Sequence, residues 1–500
     1  MPLLSEVISG FRKKYGYSLA LDFDGTVDPL ISHVTGDSRD TLQDSVFCCI
    51  RGEKRDGLAH AAAAVKNGAR VLLTDRKSPE PVPQLMTDNV RRDMGRVASV
   101  VYGDPSSRLR MFAVTGTNGK STTTWIIRHI LRSFGMKTGI LGTIVYDDGR
   151  GERDAGRTTP ESCEIQRSLA EMVKNGCSAC VMEASSHGIV FGRLEGCAFD
   201  GALFTNLSEE HLDYHKTMED YFLAKERLFS DFMKDEWRGA CNGDDSYGKR
   251  LIAKFSSRLV PFGLHVGKGG FEGRNIFSRA AGSEFEVSFP GNEIAPIFLP
   301  LPGRFNVYNA LGSMALLYSF VENPSAMAGS LATMEQVPGR VERYFLSNGA
   351  CAVIDFAHTP TALKNILSEL KGMCGGSLTA VFGHGGERFE QNRHTLGLYG
   401  AQFCEKLIIT MDNPRGEDPA KIAEQIVAGV RDSGKNPDVR VILDRSLAVR
   451  TALDEAEDGD IVAITGKGPE KFITIGNRAI PYSDRDTVLE WARGRGLTWK

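Results

Sequence analysis

The chain has 500 residues, which at roughly 150 residues per domain suggests about three domains. Apolar residues make up 41% and charged residues 25%, and 60 basic against 63 acidic side chains give a net charge of −3. This balance excludes an intrinsically disordered chain and a generally basic nucleic-acid binder. No window approaches the roughly 18 uninterrupted apolar residues of a membrane-spanning helix, so we expect no membrane insertion.

The ten cysteines are scattered, and Cys177 and Cys180 form the only pair with CxxC spacing. A zinc site with four cysteine ligands would need a second pair of this kind. The pair also lies in an apolar run that is typical of a strand. We therefore predict buried thiols in a reducing, cytoplasmic environment.

The first 108 residues predict a small α/β domain. Strands are expected at residues 45–50 and 70–73, with an Ala-rich helix at 58–66 between them that ends at Asn67-Gly68. The motif at residues 21–26, Leu-Asp-Phe-Asp-Gly-Thr, is similar to the nucleophile loop of haloacid-dehalogenase-type phosphatases. No lysine and paired-aspartate set follows it in this domain, so a strand with an acidic turn is the favoured interpretation. Residues 103–107 predict a linker.

Two larger α/β units follow, at residues 109–339 and 340–500. Their strands are predicted from apolar runs without alternation, which indicate parallel sheets covered on both faces. In the first unit these runs are residues 111–115, 138–146, 179–182 and 201–205. In the second they are residues 351–355, 378–382, 406–411 and 460–465, after a hinge candidate at 337–340.

A glycine loop joins the strand at residues 111–115 to a helix and reads Gly116-Thr117-Asn118-Gly119-Lys120-Ser121. Glycines let backbone N–H groups curl round phosphate oxygens, and the helix N-terminus adds positive potential. Lys120 can reach the β and γ phosphates, and Ser121 can hold Mg²⁺. The usual phosphate loop would have a glycine where Val114 stands, so this is a shortened variant. It predicts ATP binding.

Two further side chains lie at predicted strand ends. Glu183 ends one strand, and His211 follows the next one along the chain. Ligands in open α/β sheets bind at the carboxyl ends of strands, so Glu183 and Ser121 could share a hard cation and His211 could assist a second. Lys225 lies in a helix that opens with a capping box at Thr217, and its spacing alone predicts an ordinary surface lysine.

Short motifs in a fixed order make a specific resemblance. They are VTGTNGKSTTT, TTP at 158–160, MEASSHG, NLSEEHLDYH, LAKERLF, LPGRFNVYNAL, VPGRVER, DFAHTP and DNPR. From Asp37-Ser38-Arg39 to Ser483-Asp484-Arg485 the chain resembles the Mur ligases of peptidoglycan synthesis, most closely the MurE family. That family adds the third residue of the stem peptide to UDP-MurNAc-L-Ala-D-Glu through an acyl phosphate.

The resemblance implies a fold of three α/β domains. A UDP-binding N-terminal domain (1–108) would precede a central ATP-binding domain with a parallel sheet like that of P-loop ATPases (109–339). A Rossmann-like domain (340–500) would bind the amino acid. The implied protein is a cytoplasmic, monomeric ligase of cell-wall biogenesis. It would depend on ATP and Mg²⁺, and its partners would be UDP-MurNAc-dipeptide and a diamino acid, with no nucleic acid.

The resemblance also implies roles for single residues. Those facing the nucleotide-sugar substrate would be Ser38, the 53–56 loop, Thr158, Thr159, Ser185 and Arg193. Those facing ATP would be Gly116, Thr117, Asn118, Gly119, Lys120, Ser121, Thr122, Asn306, Asn309, Arg340 and Asp355. The metal ligands would be Ser121, Glu183, His211 and Lys225, the last as an N-carbamate. The catalytic residues would be Lys120, Lys225 and His211. The amino-acid pocket would hold Arg388, Asp412, Asn413, Arg415, Gly466 and Glu470.

The chain departs from the family in the third domain. Gly466-Lys467-Gly468-Pro469-Glu470 has proline where the family usually has histidine, and the loop at 383–394 also differs. Arg415 could grip a second carboxylate, which favours meso-diaminopimelate over L-lysine or another amine. Alternative readings are a related Mur ligase, a folylpolyglutamate synthase-type enzyme and a non-catalytic nucleotide-binding module. The intact Lys120, Glu183, His211 and Lys225 argue against the last of these.

Overall fold

The computed structural model describes residues 1–23, 27–52, 56–267, 269–291, 293–321 and 323–500. Part of the motif at 21–26 and most of the 53–56 loop lie outside the described residues. The chain divides into two compact units, one of residues 1–271 and 311–324 and one of residues 272–310 and 325–500. The domain boundaries at 108 and 339 stay a prediction.

The first unit begins with a small sheet in the order β1-β5-β4-β3-β2, in which β1 runs antiparallel to β5 and the other pairs are parallel. Its strands are β1 (Ala20–Asp22), β2 (His33–Thr35), β3 (Ser45–Cys48), β4 (Ala69–Thr74) and β5 (Gln84–Met86). Its helices are α1 (Leu4–Tyr15), α2 (Ala61–Lys66) and α3 (Val90–Val101). The strands predicted at 45–50 and 70–73 are confirmed. The helix predicted at 58–66 is α2, preceded by a 3₁₀ turn, Gly57–His60.

The larger sheet of this unit has the order β13-β12-β11-β6-β10-β7-β8-β9, parallel from β13 to β7. Its strands are β6 (Arg110–Thr115), β7 (Thr138–Leu141), β8 (Val145–Asp147), β9 (Glu152–Asp154), β10 (Ala179–Glu183), β11 (Phe199–Phe204), β12 (Met233–Asn242) and β13 (Leu259–Gly263). The helices are α4 (Lys120–Ser133), α5 (Ser162–Lys174), α6 (Ser186–Val190), α7 (Leu212–His215), α8 (Met218–Asp231) and α9 (Ser246–Lys254). Continuous apolar strands therefore do form a parallel sheet, as predicted.

The single strand predicted at residues 138–146 is wrong. The segment forms β7 and β8, which pair antiparallel around a turn at residues 142–144. Glu183 explains the turn, because its carboxylate accepts the backbone N–H of Thr143 at 2.7 Å and the Thr143 hydroxyl at 3.1 Å. The predicted linker at 103–107 contains a short 3₁₀ turn, Pro105–Ser107, and Ser106 is buried.

Two helices lie where the division between the units falls, α10 (Arg304–Leu317) and α11 (Pro324–Ser330). An antiparallel meander precedes them, made of β14 (Phe271–Arg279), β15 (Gly282–Ser288) and β16 (Ile294–Leu299).

The second unit also contains a sheet in the order β17-β18-β22-β19-β20-β21, antiparallel only at β17. Its strands are β17 (Glu342–Phe345), β18 (Cys351–Asp355), β19 (Leu378–Phe382), β20 (Lys406–Ile409), β21 (Asp438–Val441) and β22 (Ile461–Thr465), followed by the hairpin β23 (Phe472–Ile475) and β24 (Arg478–Pro481). The helices are α12 (Pro360–Met373), α13 (Gln391–Phe403), α14 (Pro419–Asp432), α15 (Arg445–Asp454) and α16 (Asp484–Gly494). In the described ranges, no helix is both long and apolar enough to span a bilayer.

All ten cysteines lie in described residues as free thiols, and all except Cys374 are buried. They belong to the apolar cores on either side of the sheets; Cys163 of α5 packs into the core of the N-terminal sheet. Burial raises the pKa of Cys163 and of Cys197 to about 12. The thiols therefore behave as small apolar side chains.

The N-terminal sheet is held against the larger one by a close contact between α3 and the loop after α6. A Cβ atom on Gly95 would lie 2.3 Å from the carbonyl oxygen of Glu195, and one on Gly196 would lie 2.4 Å from the carbonyl oxygen of Gly95. Beside them, Arg96 Nε donates to the Glu195 carboxylate at 2.9 Å. Only residues without side chains allow the two backbones to meet here.

Substitution of Gly196 by alanine tests this contact. Gly196 has φ +84°, and Gly176 has φ +77° with no atom within 4 Å of its Cβ position. Both alanines carry the left-handed strain of about 1–2 kcal/mol, but only Gly196→Ala adds a clash, which costs a further ~1–3 kcal/mol. Chemical denaturation should show the larger loss of unfolding free energy for Gly196→Ala. Equal losses would contradict the close contact.

Candidate functional site

The order of the strands brings the predicted phosphate loop between two other strand ends. In the sheet, β6 lies between β11 and β10. The loop follows β6, Glu183 ends β10, and Thr205-Asn206 follow β11. Because carboxyl ends of parallel strands meet at one edge, the loop, Glu183 and Thr205-Asn206 lie at the same edge of the sheet.

Hydrogen bonds from the loop after β11 shape the phosphate loop. Gly116 has φ +142°, and a Cβ there would lie 1.9 Å from the Thr205 hydroxyl oxygen. The N–H of Thr117 donates to the Asn206 carbonyl at 2.8 Å, and the N–H of Asn118 donates to the Asn206 side-chain oxygen at 3.0 Å. Thr205 donates its hydroxyl to the Asn118 carbonyl at 2.6 Å. The neighbouring loop therefore fixes the shape of the phosphate loop through the protein's own polar groups.

Two lysines converge on the carbonyl oxygen of Gly116. Lys120 Nζ lies 3.0 Å from it and also donates to the Thr117 carbonyl at 2.7 Å, while Lys225 Nζ lies 2.8 Å from it. The side chain of Lys225 is buried, with Nζ 4.4 Å from the Tyr221 ring centroid. Burial, and secondarily the charge of Lys120, lowers the pKa of Lys225 well below its usual value. The surface position that helical spacing alone predicts for Lys225 is wrong.

The predicted metal ligands have mixed chemistry. Glu183 offers carboxylate oxygens at a strand end, Ser121 a buried hydroxyl, and His211 an imidazole whose pKa burial lowers to about 4, so that it is neutral. The part of the chain that the structure describes contains no group of three His, Cys, Asp or Glu side chains arranged for a metal. Oxygen donors fit a hard cation, whereas a lysine amine does not. The set fits Mg²⁺ once Lys225 carries a carboxylate.

The polar residues predicted to face the nucleotide-sugar substrate gather beside Glu183. The Thr159 and Ser185 hydroxyl oxygens are 3.0 Å apart, and Arg193 Nη1 donates to the Thr159 carbonyl at 3.1 Å. Thr158 joins them through Thr143, whose hydroxyl oxygen lies 3.0 Å from Thr158 Oγ1.

Ser38 lies elsewhere in the first unit, on the loop after β2, and its carbonyl accepts a hydrogen bond from Asn67 at 3.0 Å.

In the second unit, the loops after β20 and β22 are joined by Lys467. Its buried Nζ lies 2.7 Å from the Glu470 carboxylate, 3.3 Å from Asn413 Oδ1 and 3.7 Å from Asp412 Oδ1. Asn413 Nδ2 also donates to Glu470 at 3.0 Å. A Cβ on Gly466 would lie 2.8 Å from the Asp412 carboxylate. The sequence analysis included the motif at 466–470 but did not single out Lys467 as a site residue. Its position between Gly466 and Gly468 was the available signal.

The two arginines predicted to bind the amino acid lie next to Gly385. A Cβ built on Gly385 would lie 3.1 Å from Arg415 Nη1 and 3.5 Å from Arg388 Cγ. Arg415 has φ +52°, its N–H donates to the Thr474 carbonyl at 3.0 Å, and its Nη1 donates to the Gly386 carbonyl. Arg388 is exposed. The Arg415 guanidinium is thus held at the carboxyl edge of this sheet, with the side chain of Arg388 beside the same glycine.

Four residues predicted to face ATP lie in the second unit. Asn309 donates to Asn306 Oδ1 at 3.0 Å, and both are buried. The Arg340 guanidinium lies 4.6 Å from the Phe356 ring centroid. Asp355 accepts two backbone N–H groups at 2.8 Å, and its burial raises its pKa.

Family models match the chain over both sets of strand ends. The model described as "Mur ligase middle domain" matches residues 114–317. The model described as "Mur ligase, glutamate ligase domain" matches residues 339–468.

Curated relatives extend the match to nearly the full length. A UDP-N-acetylmuramoyl-L-alanyl-D-glutamate–2,6-diaminopimelate ligase of Aquifex aeolicus (strain VF5) is 36% identical over 471 residues, 94% of this chain and 95% of the relative. The enzyme of the same name from Geobacillus kaustophilus (strain HTA426) is 36% identical over 475 residues, 94% of this chain and 96% of its own.

Solved structures agree in fold. A structure with that same enzyme name is 28% identical, covers 98% of this chain and 99% of its own, and superposes with a TM-score of 0.68. A folylpolyglutamate synthase of Mycobacterium tuberculosis, 16% identical over 74% of this chain and 91% of its own, reaches 0.60 and shares the fold alone. Because its relatives match over almost their whole length and the domain models cover both edges described above, the chain belongs to the Mur ligase family.

Proposed function

We propose that the protein is a cytoplasmic, ATP- and Mg²⁺-dependent amide ligase that adds meso-diaminopimelate to UDP-MurNAc-L-Ala-D-Glu. The observation that carries the proposal is the convergence of Lys120 and the buried Lys225 on the carbonyl oxygen of Gly116, the first residue of the phosphate loop. The named activity of relatives about one-third identical to this chain supports the choice of substrates.

The reaction needs an activated carboxyl group. A carboxylate resists attack by an amine because oxide is a poor leaving group. Transfer of the γ-phosphoryl group of ATP to one carboxylate oxygen makes an acyl phosphate, and the amine then attacks its carbonyl carbon. The tetrahedral intermediate collapses with loss of phosphate, and the amine proton passes to solvent or a base. ATP supplies the driving force, so the protein must position charges and exclude water.

The first unit supplies the charges for phosphoryl transfer. The N–H groups of the 116–119 loop and the ammonium of Lys120 would neutralise the phosphoryl oxygens as charge builds up on them. Ser121 and Glu183 would hold Mg²⁺, which when bound screens the phosphate charges. The neutral amine favoured for Lys225 can attack CO₂: the new N–C bond forms, one proton leaves, and the carbamate adds an anionic oxygen ligand near His211.

The second unit supplies the pocket for the diamino acid. Asp412, Asn413 and Glu470 could bind its ammonium and carboxylate at one end, in the network around Lys467. Arg415 could pair with the distant carboxylate of meso-diaminopimelate, which L-lysine lacks.

Removal of the Lys120 ammonium should abolish most turnover. We expect Lys120→Ala to fold normally and to lose about 10²–10³-fold in kcat, the usual cost of one donor to transition-state charge. Lys137→Ala is the matched control, because Lys137 also donates to a loop carbonyl, that of Asn175 at 2.7 Å, beside the amino end of β7. Phosphate release measures both. Near-normal turnover by folded Lys120→Ala would contradict the phosphate-loop assignment.

A short carboxylate should partly replace the carbamate of Lys225. We expect Lys225→Ala to be nearly inactive and to regain part of its activity in acetate or formate, since the lost side chain leaves space for the anion. Lys225→Met fills that space with an apolar chain and should stay inactive in the same buffers. Identical responses of the two variants, or an unmodified lysine in crystals with ATP and Mg²⁺, would count against the carbamate.

Arg415 should set the preference between diamino acids. Wild type should select meso-diaminopimelate over L-lysine in kinetic competition, and Arg415→Ala should lose most of that preference. The unpaired guanidinium would cost about 2–5 kcal/mol, or ~30-fold to several thousand-fold in affinity for lysine. Alanine keeps the Cβ atom, so the backbone strain at φ +52° is unchanged. Arg431→Ala, on α14, is the control. A wild-type preference for lysine would overturn the assignment.

A further inference from the structure

A buried ion pair lies beneath the loops of the second unit. Arg445 and Asp484 have side chains with 0% exposure. The pair is two-pronged, with Nε to Oδ1 at 2.8 Å and Nη2 to Oδ2 at 2.8 Å. The Tyr482 hydroxyl donates to the same Asp484 Oδ1 at 2.7 Å and so adds a third hydrogen bond to the carboxylate. The geometry is that of a rigid fork.

Two further N–H groups of the guanidinium bind backbone carbonyls. Nη2 donates to the carbonyl of Thr465 at 2.9 Å, and Nη1 donates to the carbonyl of Met411 at 3.3 Å. Each carbonyl belongs to the residue directly before a pocket loop, since Gly466 follows Thr465 and Asp412 follows Met411. One planar group therefore binds the residues directly before both loops, Met411 and Thr465, which we call the loop roots.

The sheet itself does not fix these roots against each other. Strands β20 and β22 are separated by β19, which ends at Phe382. Their only ladder partners in common are on β19, and both roots lie at or beyond its carboxyl end. The guanidinium of Arg445 bridges this gap directly, below the network of Lys467.

Stability alone is a poor reason for this arrangement. The desolvation of two buried charges roughly offsets their attraction, so apolar side chains would fill the space equally well. Arg445 is also the first residue of α15, at the helix end where the backbone dipole disfavours a cation. Burial of this ion pair is explained if the Arg445 guanidinium has a function that apolar side chains cannot perform.

We propose that Arg445, held by Asp484, is a positioning residue of the amino-acid pocket. It keeps the loops at 412–415 and 466–470 at the separation that the diamino acid requires. The inference rests on the proposed function, because it assumes that these loops bind the amino acid. It concerns binding of one substrate only and leaves the phosphate loop untouched.

The test compares Asp484→Asn and Arg445→Lys with a matched core variant. Asp484→Asn keeps the shape and removes the charge, and Arg445→Lys keeps the charge and removes the fork. Val488→Ala, one turn further along α16 and fully buried, destabilises the same helix without touching either carbonyl. The measurements are KM for meso-diaminopimelate, ATP and UDP-MurNAc-L-Ala-D-Glu, kcat, and hydrogen exchange of the backbone amides.

We expect both polar variants to raise KM for the diamino acid about 10–100-fold, the effect of a misplacement near 1 Å, with the other two KM values within about threefold of wild type. Exchange should quicken about tenfold in peptides covering 411–416 and 465–470 and stay unchanged at 116–121. Val488→Ala should leave all three KM values unchanged.

Uniform loss of activity matching that of Val488→Ala, or unchanged exchange in both loops, would overturn the positioning role. If wild type does not use the diamino acid at all, the proposed function fails. The exchange comparison still decides whether Arg445 holds the loops.

Discussion

The carbonyl oxygen of Gly116 receives hydrogen bonds from two lysines, and this crowding of positive charge governs the site around it. Lys120 and Lys225 lie 3.0 and 2.8 Å from the same atom. An ammonium on the buried Lys225 would be repelled by that of the partly buried Lys120, because charges interact strongly where the dielectric constant is low. The repulsion is relieved either by a bound anion or by loss of charge on Lys225. Both outcomes serve phosphoryl transfer, because the first favours a triphosphate and the second favours a nucleophilic amine. The positive charge of this cluster thus favours binding of the proposed anionic ligands.

In both units, loops at the carboxyl edge of a parallel sheet are held in place by hydrogen bonds, but the groups that form these bonds differ. In the first, the phosphate loop is fixed by the neighbouring loop at Thr205-Asn206, through backbone groups and short polar side chains. In the second, the long charged side chains of Lys467 and Arg445 form hydrogen bonds that link the two loops. A phosphate binds backbone N–H groups, so the backbone itself must be shaped. Under the proposed function, the second unit binds a diamino acid whose charged groups are far apart, so long side chains must be held at a set distance.

Sequence reasoning predicted what is local. Continuous apolar runs predicted the parallel strands, and glycine spacing with Lys120 and Ser121 predicted the loop and its helix. The prediction of one strand at 138–146 failed because Gly142-Thr143 interrupts the run with a turn. Glu183 holds that turn, and it is forty residues away along the chain and brought close only by the sheet. The prediction that Lys225 lies on the surface was wrong for a similar reason. Helical spacing does not reveal which face of the helix packs against another element. Arg445 and Asp484 are 39 residues apart, and no periodic pattern connects them.

The buried cysteines of each unit can report how often that unit opens locally. A thiol reacts only as a thiolate with access to reagent, and burial denies both conditions to Cys163 and Cys197 in the first unit, as it does to Cys351 and Cys404 in the second. Alkylation of any of them therefore reports an opening event and not a surface encounter. Since each unit carries its own set, the rate at which a reagent modifies each cysteine separates local breathing of one unit from that of the other. The protein thus contains built-in labels for its dynamics without any engineered probe.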